Sequence, residues 1–175
     1  MQAKFVYEKF SDESDSIRDL GIGIKHKIEE WIKKSIYYYS GKSIRYNLNS
    51  DLTININDNC NIIAVGNFPS YINFNEIFGN FLVERRNLTT LRGCPKIVHG
   101  DFLVYGNNLT NLIGGPKIVD GVYGCSQNPS LISFKGMAKE IGQYVACNND
   151  IGLTIKDIPK GTKIKDIKNC CIGKW

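Results

Sequence analysis

The chain has 175 residues, of which 42% are hydrophobic and 22% are charged. This balance fits one folded domain and excludes wholesale disorder. The net charge of +5 comes from 22 basic and 17 acidic residues that are spread along the chain, without the concentrated basic patch of a typical nucleic-acid-binding protein. No apolar run approaches the roughly 20 residues that a membrane-spanning helix needs, and the polar N-terminus lacks the apolar stretch of a secretory signal. Composition therefore predicts a cytoplasmic protein whose six cysteines are mostly free thiols.

The N-terminal region, residues 1–66, is predicted to cap a longer structure. Residues 1–20 carry charges of both signs and scattered aromatic residues, so they could extend the cap or serve as a peptide that a partner recognises. Four apolar residues then recur with the i, i+4, i+7, i+8 spacing of one helix face: Ile24, Ile28, Trp31 and Ile32. This spacing predicts an amphipathic helix over residues 24–35. The alternating segments 44–49 and 52–57 predict two strands joined by a turn.

A 21-residue repeat dominates the middle of the chain. The segment NLTTLRGCPKIVHGDFLVYGN (87–107) is followed directly by NLTNLIGGPKIVDGVYGCSQN (108–128). An earlier unit begins at residue 67, and a later one runs to residue 149 with one extra residue, after which the 21-residue spacing is expected to resume at Gly142. This periodicity predicts a solenoid of four stacked coils over residues 67–149.

Each coil contains one short alternating segment, which predicts parallel strands near residues 80–84, 101–105, 122–126 and 143–147. Parallel stacking about 4.8 Å apart would bury equivalent residues of successive coils as ladders. The two expected ladders are Phe81, Phe102, Tyr123 and Tyr144, and beside them Val83, Val104, Cys125 and Ala146. Buried asparagine amides would satisfy turn groups of neighbouring coils at Asn107, Asn128 and Asn149.

Residues 150–175 are predicted to form a C-terminal cap. The segments 153–158 and 162–167 flank Pro159-Lys160-Gly161, which predicts a hairpin that closes the last coil. The expected fold class is therefore α+β: a leucine-rich-repeat-like solenoid of short parallel strands between an N-terminal helix cap and a C-terminal hairpin cap.

The repeat pattern L-x-x-L-x-G-x-P-K-x-V-x-G-x-F-x-V resembles that of the leucine-rich-repeat-like proteins widespread in large-phage genomes. The resemblance extends upstream to FVYEKFSDESDSIRDLGIGIKHKIEEWIKK and to DLTININDNCNII, and so covers nearly the whole chain. It implies a leucine-rich-repeat-like fold with an N-terminal helical cap and a phage origin. It implies no activity, because members of this group are mostly known as repeat proteins of unassigned role, and there are no family catalytic residues to carry over.

The candidate functional residues are those that the repeat does not need for its core. The sequence contains no nucleophile motif, phosphate loop or paired metal ligands, so no enzyme activity, cofactor or metal is predicted. Outward positions on the predicted sheet form an apolar stripe with polar neighbours, which is typical of a solenoid's binding surface. The predicted partner-binding residues are Leu82, Glu84, Leu103, Tyr105, Ser126 and Val145. Cys147 is expected on the same face.

Three functional hypotheses follow. The leading one is a non-enzymatic scaffold in the host cytoplasm that binds a host or phage protein, with inhibition of a host-defence factor as one form. The second is a virion or head-packaged structural protein, for which residues 1–20 would be the address. The third is nucleic-acid binding, which is the least favoured of these. It rests on the lysine-rich C-terminal end, which contains Lys156, Lys160, Lys163, Lys165, Lys168 and Lys174. No membrane partner is expected. The oligomeric state is left open.

Overall fold

The computed structural model describes residues 21–37, 43–148 and 152–173. Residues 21–35 are helical, and all the regular structure that follows consists of short strands and two turns of 3-10 helix, Ile155–Asp157 and Ile167–Asn169. The strands are β1 (Ile36–Tyr37), β2 (Tyr46–Leu48), β3 (Ile54–Ile56), β4 (Cys60–Ile62), β5 (Phe74–Ile77), β6 (Phe81–Leu82), β7 (Ile97–Val98), β8 (Phe102–Leu103), β9 (Ile118–Val119), β10 (Tyr123–Gly124), β11 (Glu140–Ile141), β12 (Val145–Asn148), β13 (Lys163–Ile164) and β14 (Cys171–Gly173). In this part of the chain, no helix is both long and apolar enough to cross a membrane.

The strands form two sheets that follow the axis of the stack. Sheet A has the order β1-β4-β6-β8-β10-β12-β14, and sheet B has the order β13-β11-β9-β7-β5-β3-β2. Within the coils, neighbouring strands pair in parallel. At the N-terminal end of each sheet the pairing is antiparallel: β1 pairs with β4 in sheet A, and β2 pairs with β3 in sheet B. The result is a β-solenoid of about six turns, which confirms the α+β solenoid predicted from the repeat. Parallel pairing extends beyond residues 67–149 in both directions, because β4 and β14 join sheet A.

The core is built from ladders of equivalent residues, as the repeat predicts. Phe81 pairs in register with Phe102, and Phe102 with Tyr123. The ring centroids are 5.6 Å apart for Phe81 and Phe102, and 5.1 Å apart for Phe102 and Tyr123. The wall opposite sheet A consists of buried side chains at equivalent positions: Leu88, Leu91, Leu109, Leu112, Leu131 and Phe134. Because each ring is enclosed by the coils above and below it, stacking supplies the burial that a single coil lacks.

The register of the last predicted coil differs from the prediction. Tyr123 pairs with Val145 and Gly124 with Ala146, so the offset is 22 residues and does not return to 21 at Gly142. Val145 and Cys147 are fully buried, whereas Tyr144 and Ala146 are half-buried. The core ladders therefore continue into Val145 and Cys147, and the predicted positions of Tyr144 and Ala146 in the core are wrong.

Glycine is needed at two positions of each coil, for two different physical reasons. Gly93, Gly114 and Gly136 have φ angles of +87°, +92° and +91°, in the left-handed region that glycine adopts without a steric cost. Gly100 is instead required by close approach, since a Cβ there would lie 2.8 Å from the carbonyl oxygen of Gly79 in the preceding coil. The first set of glycines therefore forms the tight bend of each coil.

Asparagine side chains link the coils. The Asn107 Oδ1 accepts hydrogen bonds from the Arg86 and Leu88 N–H groups at 3.0 and 3.1 Å. Its Nδ2 donates to the Val83 carbonyl at 2.8 Å and to the Tyr105 carbonyl at 3.2 Å. Asn128 repeats the arrangement one coil later. The predicted ladder is thus confirmed at these two positions, and its third member, Asn149, lies outside the described residues.

Asn107→Ala should lower the free energy of unfolding by about 1–3 kcal/mol, because it leaves buried N–H and C=O groups without a partner. Asn108→Ala is the matched control, since Asn108 is exposed, and it should change stability by less than about 0.5 kcal/mol. Urea unfolding followed by circular dichroism measures both. Equal losses for the two variants would contradict the structural role assigned to Asn107.

The N-terminal helix covers the first coil. Ile28 and Ile32 are fully buried, and the Trp31 ring lies 5.8 Å from Phe68 and 6.2 Å from Phe74 in edge-to-face contact. These contacts confirm the predicted apolar helix face, although Ile24 is exposed. The strands predicted at residues 44–49 and 52–57 are present as the antiparallel pair β2 and β3.

The C-terminal hairpin is not formed. Residues Ile155–Asp157 make a turn of 3-10 helix capped by Thr154, and β13 pairs in parallel with β11. β14 then pairs in parallel with β12. This segment is therefore a further turn of the solenoid, and the expectation of a hairpin around Pro159 is wrong.

Candidate binding face

Alternate residues of each strand in sheet A point outward, and equivalent residues of successive strands line up in rows across the sheet. Register places Asn61, Leu82, Leu103, Gly124 and Ala146 in one row. A second row, two residues further along each strand, consists of Ile63, Glu84, Tyr105, Ser126 and Asn148. These two rows, with Tyr37 on β1 opposite Asn61, are called here the sheet A face.

The centre of the sheet A face is apolar. Leu82 and Leu103 pair in register and are half-buried, because their Cβ sides lie on the sheet and their outer sides face solvent. A Cβ on Gly124 would lie 2.8 Å from the Leu103 Cδ2, so Leu103 extends over Gly124 and covers its backbone. The apolar surface continues toward the N-terminal end through Tyr37 and Ile63, which are 47% and 38% exposed.

Polar groups border this apolar centre. The Tyr105 hydroxyl donates to the Glu84 Oε2 at 3.3 Å, and the Glu84 Oε1 lies 3.8 Å from the Arg85 Nε. Partial burial, and after it the Glu84 charge and hydrogen bond, raise the pKa of Tyr105. On the opposite border, a backbone N–H of the next coil donates a hydrogen bond to a side-chain oxygen at 2.8 Å in three successive coils. The acceptors are Asn59, Asn80 and Asp101. The face thus has an apolar centre and a polar rim, the anatomy of protein interfaces.

The structure brings five of the six predicted partner-binding residues together on this face: Leu82, Glu84, Leu103, Tyr105 and Ser126. The sixth, Val145, is fully buried, and its predicted outward placement is wrong because the coil keeps the 22-residue offset. Cys147 is buried for the same reason. Ala146 takes the outward position instead.

Sequence reasoning missed Tyr37 and Ile63. Tyr37 lies two residues after the end of the helix, and nothing in its local pattern indicates the antiparallel pairing with Asn61. Ile63 could have been found, because it lies 21 residues before Glu84 and extends the outward row by one coil. Residues 1–66 were predicted only to cap the solenoid.

Titratable groups elsewhere are structural or exposed. His99 stacks on Phe78 with ring centroids 4.9 Å apart, and its ring nitrogens lie 3.0 Å from an Asp120 oxygen and 3.4 Å from a Glu76 oxygen. Burial acts to lower the pKa of His99, but the hydrogen bonds and charges of the two carboxylates outweigh it and raise the pKa. Burial also raises the thiol pKa of Cys60 and of Cys94. Within the described ranges, no group of three metal-ligating side chains converges.

No protein-family model, curated protein or solved structure matches this chain. The architecture alone therefore defines its class: a parallel β-solenoid of about six turns with repeats of about 21 residues and one N-terminal helix.

Proposed function

We propose that this protein is a non-enzymatic scaffold that binds another protein through the sheet A face. The observation that carries the proposal is the in-register pair Leu82 and Leu103, which face outward at the centre of a sheet whose inner side already has a complete core. The core does not need these aliphatic side chains, and exposed aliphatic side chains beside an aromatic residue are typical of a surface that contacts a partner. Aromatic Tyr105 beside them is the residue type that most often anchors interfaces.

The architecture supports a binding role rather than catalysis. Two sheets and the asparagine links hold the outward rows at fixed spacing, so the face is preorganised and pays little ordering entropy on association. The resemblance of the repeat to leucine-rich-repeat-like phage proteins supports a phage origin, with a host or phage protein as the partner in the host cytoplasm. A host-defence factor is one such partner.

Leu103→Glu and Tyr105→Ala should each weaken capture of the partner by roughly tenfold or more, because a charge in a desolvated contact is costly and an aromatic anchor is lost. The partner is first identified by affinity capture from infected cells with the unmodified chain. The affinities of the purified pair are then measured by biolayer interferometry. Melting temperatures check that both variants remain folded.

Ile113→Glu is the matched control, since Ile113 is 50% exposed and lies on a bend away from sheet A. It should leave affinity unchanged. Loss of binding in Ile113→Glu with normal binding in Leu103→Glu would move the contact surface to the bends. Loss of binding only on deletion of residues 1–20 would favour an N-terminal address peptide, and with it the virion hypothesis.

A further inference from the structure

His99 links three successive coils of the solenoid on the outer side of sheet B. It directly follows β7, which lies between β5 and β9 in the sheet. The His99 Nε2 lies 3.4 Å from the Glu76 Oε2 of the preceding coil, and the His99 Nδ1 lies 3.0 Å from the Asp120 Oδ2 of the following coil. One imidazole ring therefore contacts a carboxylate on each side, along the axis of the stack.

Packing and backbone hydrogen bonds hold the imidazole between the two carboxylates. The ring stacks on Phe78 with centroids 4.9 Å apart and an angle of 18° between the planes. The His99 N–H donates to the Ile77 carbonyl, and the Asp120 N–H donates to the Val98 carbonyl, both at 2.9 Å. The side chain of His99 is nevertheless 37% exposed, so solvent can deliver and remove its proton.

The protonation state of His99 decides how many coils it can join. A protonated imidazole donates from both ring nitrogens and carries a positive charge that attracts both carboxylates. A neutral imidazole has one N–H, and its other nitrogen is an acceptor that cannot bond to a carboxylate. Because the contact with Asp120 is the shorter one, we expect the neutral ring to keep Asp120 and to release Glu76. It then joins two coils rather than three.

The surroundings of His99 favour the protonated form. Burial lowers the pKa of His99, but the hydrogen bonds and charges of Asp120 and Glu76 outweigh burial and raise the pKa. A histidine whose pKa is raised by folding stabilises the folded chain fully below its unfolded pKa of about 6.5. This contribution is lost as the pH rises through the higher pKa of the folded chain. The contact is therefore complete near pH 6 and weaker in more alkaline solution.

Few other charged groups face His99 from its own coil or from the two coils packed against it. In residues 74–80, 95–101 and 116–122 they are Lys96, Asp101 and Lys117. The two lysines lie three residues, about 10 Å along the chain, before the row that contains His99, and the Asp101 carboxylate accepts the Val122 N–H at 2.8 Å. The charges that act on the pKa of His99 are those of Asp120 and Glu76, so these two contacts govern its protonation.

We propose that His99 is a pH-sensitive clamp, which ties three coils of sheet B together when its imidazole is protonated and releases the coil of Glu76 when it is neutral. Mild acidification then stabilises the middle of the solenoid, where each coil depends on its neighbours for burial. The clamp lies on sheet B and does not rest on the binding role of the sheet A face, so either proposal can fail without the other.

The chain contains two histidines, His26 and His99, so NMR of the full chain with ¹³C-labelled histidine can follow each imidazole as the pH is changed. We expect His99 to titrate above about pH 6.5. Glu76→Gln and Asp120→Asn should each lower its pKa, because each removes a charge that favours the protonated ring. The urea midpoint of unfolding should fall between pH 6 and pH 8 in the unmodified chain, and this fall should be smaller in His99→Gln.

His26→Gln is the matched control, because His26 is exposed on the N-terminal helix and the substitution is the same. It should keep the full fall in the urea midpoint between pH 6 and pH 8. A purely structural role for His99 would instead give His99→Gln an equal loss at both pH values. That outcome overturns the clamp, and so does a His99 pKa that is unchanged in both Glu76→Gln and Asp120→Asn.

Discussion

Phe102→Ala should lower the free energy of unfolding by about 3–5 kcal/mol, the usual cost of emptying a well-packed aromatic site. Phe102 is fully buried and has ring neighbours on both sides, Phe81 at 5.6 Å and Tyr123 at 5.1 Å. The coils above and below are fixed by backbone hydrogen bonds, so they can close only part of the cavity. The loss should therefore fall in the upper part of the range for core truncations.

Urea unfolding followed by circular dichroism measures this loss, with Lys96→Ala as the control. Lys96 is exposed, and its truncation should change the free energy of unfolding by less than about 0.5 kcal/mol. Comparable losses in the two variants would mean that the assignment of inner and outer positions is wrong.

The sequence was sufficient to predict the central strands of sheet A, β6, β8 and β10, because the repeat carries redundant information. Positions such as Phe81, Phe102 and Tyr123 recur at one offset, and only stacked coils bring residues that far apart in sequence into contact. The same redundancy predicted the buried asparagines, since a polar residue at an otherwise apolar corner needs repeated backbone partners. Contacts between residues distant in sequence were thus predicted from the periodicity rather than from local secondary-structure propensity.

Within sheet B, only the N-terminal pair β2 and β3 was predicted, and the strands of the coils were missed for a local reason. Its strands in the regular coils contain only two residues, as in Ile97–Val98 and Ile118–Val119, too few to show alternation. Pro95 and Pro116 lie two residues before them, and proline is a residue type that is depleted in strands. These segments become strands through pairing with their equivalents in neighbouring coils, which no single segment reveals.

The candidate face was predicted in its central part and missed at its ends. Leu82, Leu103 and Tyr105 follow from alternation within the strands, whereas Tyr37 depends on an antiparallel pairing between distant segments. Val145 was placed wrongly because Gly142 lies 21 residues after Gly121, which suggested a 21-residue offset in the last coil. Gly142 resembles Gly121 in the repeat, yet it occupies the place of Asp120, where a Cβ would collide with the Asp120 carbonyl group.

The 22-residue offset can be tested by a pair of neighbouring substitutions. Val145→Asp should lower the free energy of unfolding by more than about 3 kcal/mol, because it buries a carboxylate without a partner in the ladder beside Tyr123. Ala146→Asp should cost roughly 1 kcal/mol or less, since Ala146 lies on the outer face in register with Gly124 and Cys171 and its new carboxylate can reach water.

The two substitutions introduce the same side chain one residue apart, so the added charge is matched and the direction of the new side chain is the main difference. Because side chains alternate between the two sides of a strand, a shift of one residue exchanges the inner and outer positions completely. Urea unfolding should therefore give a large loss for Val145→Asp and a small one for Ala146→Asp. The reverse order would restore the 21-residue offset, place Tyr144 in the core and return Val145 to the binding face beside Leu103.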